Sequence, residues 1–227
     1  RAPRGALTPD LKTALAADKP EIMALLAAED TLIREPENRY EPFPLTEVQA
    51  SYLVGRTRAF RWGGVGCHGY AEFAVCPPPG TPIPDAQRFR DAWWKVVARH
   101  EMLRCVVYPE GYQRIEPLGD DLTPPGLTVH TRDTTAEVAE LRADIGRALA
   151  HRVYEPGIGP MFDLVVTIGP EDTVVHFSID LLIADFVGIA VIVRDLERCL
   201  LDPDIELPAV EFGFRDYVLN ITRTAHG

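Results

Sequence analysis

From residue 174 to residue 193 the sequence reads VVHFSIDLLIADFVGIAVIV, an apolar run that two carboxylates interrupt five residues apart. A stretch this apolar has to be buried, and a buried carboxylate is costly unless it finds a partner or takes up a proton. Any fold for this chain must therefore settle what Asp180 and Asp185 do. The run divides into a strand over 173–179, an apolar loop at 181–184 and a helix from about 185 to 201. Phe186, Ile189, Ala190, Val193 and Leu196 are placed to pack. The aspartates leave no charge-free run of about 18 residues, so a membrane span is not expected.

The rest of the chain reads as mixed elements. Thr8, Pro9 and Asp10 open a helix as N-cap, first position and dipole-favoured acid. Leu11, Leu15, Ile22, Leu25 and Leu26 form its stripe, and Pro20 kinks or divides it. The polar segment 29–42 is a linker, with a boundary near residue 38. A second helix follows Thr46 and stops at Gly55. Next come a strand over 68–75, a helix over 85–99 with Phe89, Trp93, Val96 and Val97 on one face, and a hairpin of 102–107 with 112–115. A strand near 127–130, a helix over 135–152, a strand over 162–168 and a last helix over 214–223 complete the reading. Strands and helices do not alternate strictly, which favours an α+β layered domain over a doubly wound one.

A net charge of −11 over 227 residues argues against a nucleic-acid partner, because phosphate binding needs a basic face. Cys67, Cys76, Cys105 and Cys199 lack the close-paired spacing of a zinc site and read as buried small hydrophobes in a cytoplasmic protein. No Gly-rich phosphate loop precedes a helix, and no metal site is expected. The start Arg1-Ala-Pro-Arg-Gly5 has neither Met nor a signal-peptide pattern, which suggests a piece of something longer.

Spacing leaves the two aspartates with two readings. In one, Asp185 caps the helix on the N–H of Val187 or Gly188, and Asp180 forms a salt bridge with an arginine such as Arg56, Arg104 or Arg194. In the other, both acids line a pocket where desolvation raises a carboxyl pKa into the range useful for proton transfer.

Asp180-Leu-Leu-Ile-Ala-Asp185-Phe-Val-Gly188 resembles the D-x-x-x-x-D-x-x-S signature of heterocyclisation domains of nonribosomal peptide synthetases, with Gly188 in the place of Ser. These are relatives of the peptide-bond-forming condensation domains, whose H-H-x-x-x-D-G stands at this position. Asp180 and Leu181 take the two His positions, so the usual condensation base is missing. Other segments resemble the family in order. They are Phe43-Pro-Leu-Thr-Glu-Val-Gln49-Ala-Ser-Tyr52-Leu-Val-Gly-Arg56, the glycine-aromatic strand 63–73, Arg99-His100-Glu-Met-Leu-Arg104 and Phe214-Arg-Asp-Tyr217. Residues 1–11 and 19–26 resemble the later part of a tubulysin-type docking domain.

The resemblance implies a chloramphenicol-acetyltransferase-like lobe, a mixed sheet with packed helices, over 39–227. A short helical docking segment over 1–38 precedes it. Two such lobes would enclose a tunnel for substrates on the phosphopantetheine arms of upstream and downstream carrier proteins, with no directly bound cofactor. The chain is long enough for the first lobe only, and by itself it should be inactive. The docking segment would receive an upstream synthase. The implied reaction joins an acyl thioester to carrier-bound Cys, Ser or Thr and cyclodehydrates the amide to a thiazoline or oxazoline. Alternatives are amide formation without ring closure and a carrier-docking scaffold. The site residues implied are Asp180 and Asp185 for catalysis, with Gln49, Tyr52, Arg56, Arg99, His100, Arg104 and Gly188 in the tunnel or its frame. Asp185 is expected chiefly to stabilise, and Asp180 to face the tunnel or brace its wall. Spacing alone gives His100 a structural hydrogen bond.

Overall fold

The chain divides into two compact units, residues 1–34 and 35–227. The computed structural model describes residues 8–21, 23, 32–59, 61–119 and 124–224. In the first unit, the Thr8 hydroxyl caps helix α1 (Pro9–Ala17) by accepting from the Leu11 N–H at 3.3 Å. Asp18 ends that helix and helical backbone resumes at Lys19, so the break falls just before Pro20. Ile22, Leu25 and Leu26 of the expected stripe, and residues 1–7 of the docking resemblance, lie outside the described residues.

The second unit contains, in order, β1 (Phe43–Pro44), α2 (Glu47–Gly55), β2 (His68–Ala74), α3 (Ala86–Arg99), β3 (Cys105–Val107) and β4 (Tyr112–Ile115). These are followed by β5 (Leu127–Thr131), α4 (Thr135–Leu149), β6 (Phe162–Ile168), β7 (Thr173–Asp180), α5 (Phe186–Leu201) and α6 (Phe214–Thr224). Four strands form a mixed sheet in the order β2-β7-β6-β5, with β5 and β6 parallel and the other pairs antiparallel. The parallel pair needs a crossover, and α4 supplies it. A smaller antiparallel sheet has the order β1-β4-β3. The architecture is α+β.

The run at 174–193 is explained by position. β7 is a central strand buried along its whole length, and strands covered on both faces lose the apolar/polar alternation. Val175, Phe177 and Ile179 join the core with α3, whose Phe89, Ala92, Trp93, Val96 and Val97 recur at helical spacing. Trp93 is fully buried, edge-on to Phe162 at 5.5 Å and to Phe177 at 5.9 Å, and donates its indole N–H to the Pro125 carbonyl at 3.0 Å. α5 packs on α3.

Three expectations change. Residues 102–104 belong to a 3-10 turn (Glu101–Arg104), in which the Leu103 N–H donates to the His100 carbonyl, so the hairpin starts only at Cys105. α4 stops at Leu149, with Ala150 as its cap. Cys105 and Cys199 are buried, but Cys67 and Cys76 are exposed beside the two ends of the edge strand β2. Among the described residues no helix is long and apolar enough to cross a membrane.

β7 places His176 against β2 and α4. Its Nδ1 lies 2.9 Å from the Tyr70 hydroxyl and 3.5 Å from Glu72, and Arg142 of α4 adds a like charge. Burial pushes His176 below the ordinary value of 6.5, more than Glu72 raises it. Burial likewise lowers His100, although the Asp195 carboxylate opposes it. A histidine kept neutral in the fold takes up its proton more readily when unfolded. Stability is therefore full above about pH 6.5 and is lost as pH falls below it. Thermal unfolding between pH 7.5 and 5.0 should show that decline, and His176→Gln should reduce it, leaving the share that His100 and the likewise lowered His130 contribute. The carboxylates held low by arginines, Glu35 and Asp172, act only at lower pH because their ordinary values are 4.5 and 3.8.

Candidate functional site

Four of the sequence motifs meet at one groove of about 1270 Å³. Its walls are the start of α2, the turn after α3, residues 181–185 leading into α5, and α6 with the segment before it.

Local caps fix the walls at α2 and α5, and a distant partner fixes the one at α6. At α2, the Thr46 hydroxyl accepts from the Gln49 N–H, and the Gln49 side-chain oxygen accepts from the Thr46 N–H at 3.0 Å, a reciprocal capping box. At α5, Asp185 is the N-cap and accepts from the Gly188 N–H at 2.6 Å. At α6, the cap comes from across the fold. Glu101 accepts from the Phe214 N–H at 2.7 Å and pairs with Arg39 at 3.1 Å. A Cβ on Gly213 would lie 2.7 Å from the Glu101 carboxylate, so this close approach depends on the glycine.

The Phe214-to-Tyr217 motif ties the end of the unit to its beginning. Phe214 meets Phe43 edge-on at 6.3 Å. Arg215 pairs with Glu35 at 3.2 Å, Asp216 accepts from the Glu35 N–H at 3.1 Å, and Arg223 reaches the other Glu35 oxygen at 3.0 Å. Tyr217 remains on the groove wall.

Of the residues expected at the site, Gln49, Tyr52, Arg99, His100, Asp185 and Gly188 line the groove. Asp180, Arg56 and Arg104 do not. Arg104 donates to the carbonyls of Val97 and Glu116 and borders a separate cavity of about 440 Å³. Asp180 has the arginine partner that one of its two sequence readings offered. It is 1% exposed and holds Arg56, itself 8% exposed, at 2.7 Å and 2.8 Å. It also accepts from the Leu182 N–H at 2.9 Å. Its carboxylate is thus directed into the protein against a guanidinium, as in the salt-bridge reading with Arg56. Asp185, expected chiefly to stabilise, is the exposed acid on the groove wall.

Arg99 and His100 are oriented from behind by Asp195, a residue the sequence reading did not single out. Asp195 is 1% exposed and lies 3.1 Å from Arg99 and 3.0 Å from His100, with Arg198 at 3.6 Å and Arg194 at 3.7 Å. Gln113 was also missed. It is fully buried, on the same strand face as the core residue Ile115. A polar residue on the inward parity of a strand was the available signal.

Gly188 needs no hydroxyl to engage Asp185, because its own N–H already does so. A Cβ there would sit 3.2 Å from the Asp185 oxygen. Among the described residues no group of three or more His, Cys, Asp and Glu is placed to hold a metal.

Comparisons with known proteins give a docking-domain match at the start of the chain and synthetase relatives over most of it. Residues 1–27 match the model of the TubC N-terminal docking domain. Pyochelin synthetase PchF of Pseudomonas aeruginosa is 34% identical over 221 residues, 96% of this chain and 12% of that protein. Phenyloxazoline synthase MbtB of Mycobacterium tuberculosis is 33% identical over 179 residues, 78% of this chain and 12% of the relative. The EpoB cyclization-docking bidomain from Sorangium cellulosum superposes with a TM-score of 0.77 at 30% identity, covering 100% of this chain and 45% of the bidomain.

Proposed function

This chain belongs to the cyclisation branch of the nonribosomal peptide synthetase condensation-domain superfamily, and on that premise we propose that its groove carries one wall of a cyclodehydration site. The substrates are an upstream acyl thioester and a downstream Cys, Ser or Thr, both on phosphopantetheine arms of carrier proteins. The amine attacks the thioester carbonyl, releasing the upstream thiol and forming an amide. The side-chain thiol or hydroxyl then attacks the amide carbonyl, and loss of one water leaves a thiazoline or oxazoline. Residues 39–227 supply the lobe, and residues 1–38 supply docking to an upstream synthase and the linker.

The observation that carries this reading is the placement of Asp185. One oxygen is engaged by the Gly188 N–H, and the exposed carboxylate stands on the wall of a groove of about 1270 Å³. It can accept the proton of the attacking nucleophile and return it to the departing oxygen, work worth about 10²–10⁴ in rate. Asp180 serves at one remove by fixing the strand end with Arg56. Gln49 and Tyr52 shape the wall, and Arg99 and His100 are held rigid by Asp195.

The test uses the complete synthetase with loaded carriers and reads product mass. Cyclisation appears as loss of one water relative to the amide. Asp185→Asn preserves the cap, since Asn caps as well as Asp, and should leave the melting temperature nearly unchanged. It should lower cyclised product about 100-fold. An amide that never loses water in the parent enzyme would mean condensation alone, and no product at all a docking scaffold.

A further inference from the structure

Gln113 lines neither the groove nor the smaller cavity and is fully buried, so it cannot touch a substrate. All its side-chain hydrogen-bonding capacity is nonetheless used. Its amide nitrogen donates to the Pro44 carbonyl at 3.0 Å and to the Gln49 side-chain oxygen at 2.9 Å. Its own oxygen accepts from the Gln49 amide nitrogen at 2.9 Å and faces the Cys105 thiol at 3.5 Å. Gln49 then uses its second N–H on the Leu182 carbonyl at 2.7 Å.

The direction of this relay is set by the backbone at both ends. The Thr46 N–H can only donate, so the Gln49 atom facing it is the oxygen. The carbonyls of Leu182 and Pro44 can only accept, so nitrogen faces each of them. Neither amide can flip without setting like groups against each other. At the far end, Leu182 is held twice: its carbonyl by Gln49, and its N–H by Asp180 at 2.9 Å. The Ile183 N–H closes onto the Asp180 carbonyl at 3.1 Å. The loop that begins at Leu181 is thereby fixed three residues before Asp185.

We infer that Gln113 is a positioning residue: through Gln49 it sets the height of the 181–185 loop and so the place of the Asp185 carboxylate in the groove. The inference rests on the proton-transfer reading of Asp185. Packing alone does not call for this arrangement, because two apolar side chains of similar volume can fill such a space with little loss of stability. What the paired amides add is direction, and misplacement of a catalytic group by about 1 Å can cost on the order of 100-fold in rate.

The experiment compares four forms of the complete synthetase: parent, Gln113→Leu, Asp185→Asn and the double variant. Cyclised product is timed for each at a temperature well below its own melting point. Gln113→Leu is expected to slow cyclisation about tenfold in the parent background and less than twofold in the Asp185→Asn background. Stability losses, in contrast, should add. Equal slowing in both backgrounds overturns the inference, as does a Gln113→Leu enzyme with parental rate. In those cases a slow Asp185→Asn leaves the proton-transfer reading standing. An Asp185→Asn enzyme with parental rate sinks that reading and this inference with it. Should Gln113→Leu fold poorly, Gln113→Met keeps the side-chain length and removes the same hydrogen bonds, and its cycle is judged by the same outcomes.

Discussion

Asp180→Asn is expected to melt roughly 6–20 °C below the parent protein, the equivalent of about 3–5 kcal/mol for breaking one side of a buried ion pair in a domain of this size. The substitution keeps the volume, and its amide oxygen can still accept from the Leu182 N–H. It nonetheless leaves the Arg56 guanidinium, 8% exposed, facing a neutral amide with no compensating charge. Arg56→Met should be harmful for the mirror-image reason. The double variant Arg56→Met/Asp180→Leu should recover much of the loss, since a well-packed apolar pair often replaces a buried ion pair at little cost. The Leu182 N–H would still lack its acceptor, so recovery should stop short of the parent. Thermal unfolding of the three variants checks this. A parental melting temperature for Asp180→Asn, together with slowed turnover, would restore the tunnel-facing role that the motif alone suggests.

Trp93→Ala should cost about as much, on the order of 3–5 kcal/mol. The indole is the largest fully buried side chain, and Phe162 and Phe177 stand edge-on against it. Removing it opens a cavity between α3 and β6/β7 and strands the Pro125 carbonyl. Trp93→Phe should cost less, because most of the ring contact survives and the chief loss is that hydrogen bond, about 1–3 kcal/mol. Trp62→Ala is the control. Trp62 is 87% exposed, and its loss should fall within about 0.5 kcal/mol of neutral. Denaturant midpoints for the three variants should rank in that order, and a small loss for Trp93→Ala would place the core elsewhere.

The elements that were legible in sequence are those whose determinants are local. Thr46, Asp85 and Asp185 each cap the helix they precede through a hydrogen bond spanning three residues, and the stripe of α3 recurs within a single helix. Asp185 as a cap was readable for the same reason. Its exposure was not, because exposure depends on α6 and the turn after α3 closing around the groove without covering it. The partner of Asp180 could be narrowed only to a few arginines, because it lies 124 residues earlier and spacing names candidates without choosing among them. Gln113 and Asp195 were overlooked because their partners are remote in the chain. Asp195 sits within an α5 segment rich in charge, where a solvated acid is the ordinary expectation. The 3-10 turn at Glu101–Arg104 carries Met and Leu, which suit a strand equally well, and only the His100 carbonyl decides against it.

The clasp on Glu35 also orders events in time. Arg223 is 188 residues beyond its partner, and β2 waits for β7 from His68 to Asp180 before it has a neighbour in the sheet. A ribosome adding about 5–20 residues per second needs roughly 10–40 s to cover the distance from Glu35 to Arg223. For most of that interval the beginning of this unit has left the ribosome without the segment that locks it. The newborn chain must therefore pass through a long stage in which β2 and the strand-forming residues after it stand without partners, and its exposure to chaperones and to neighbouring nascent chains is written into the order of its strands.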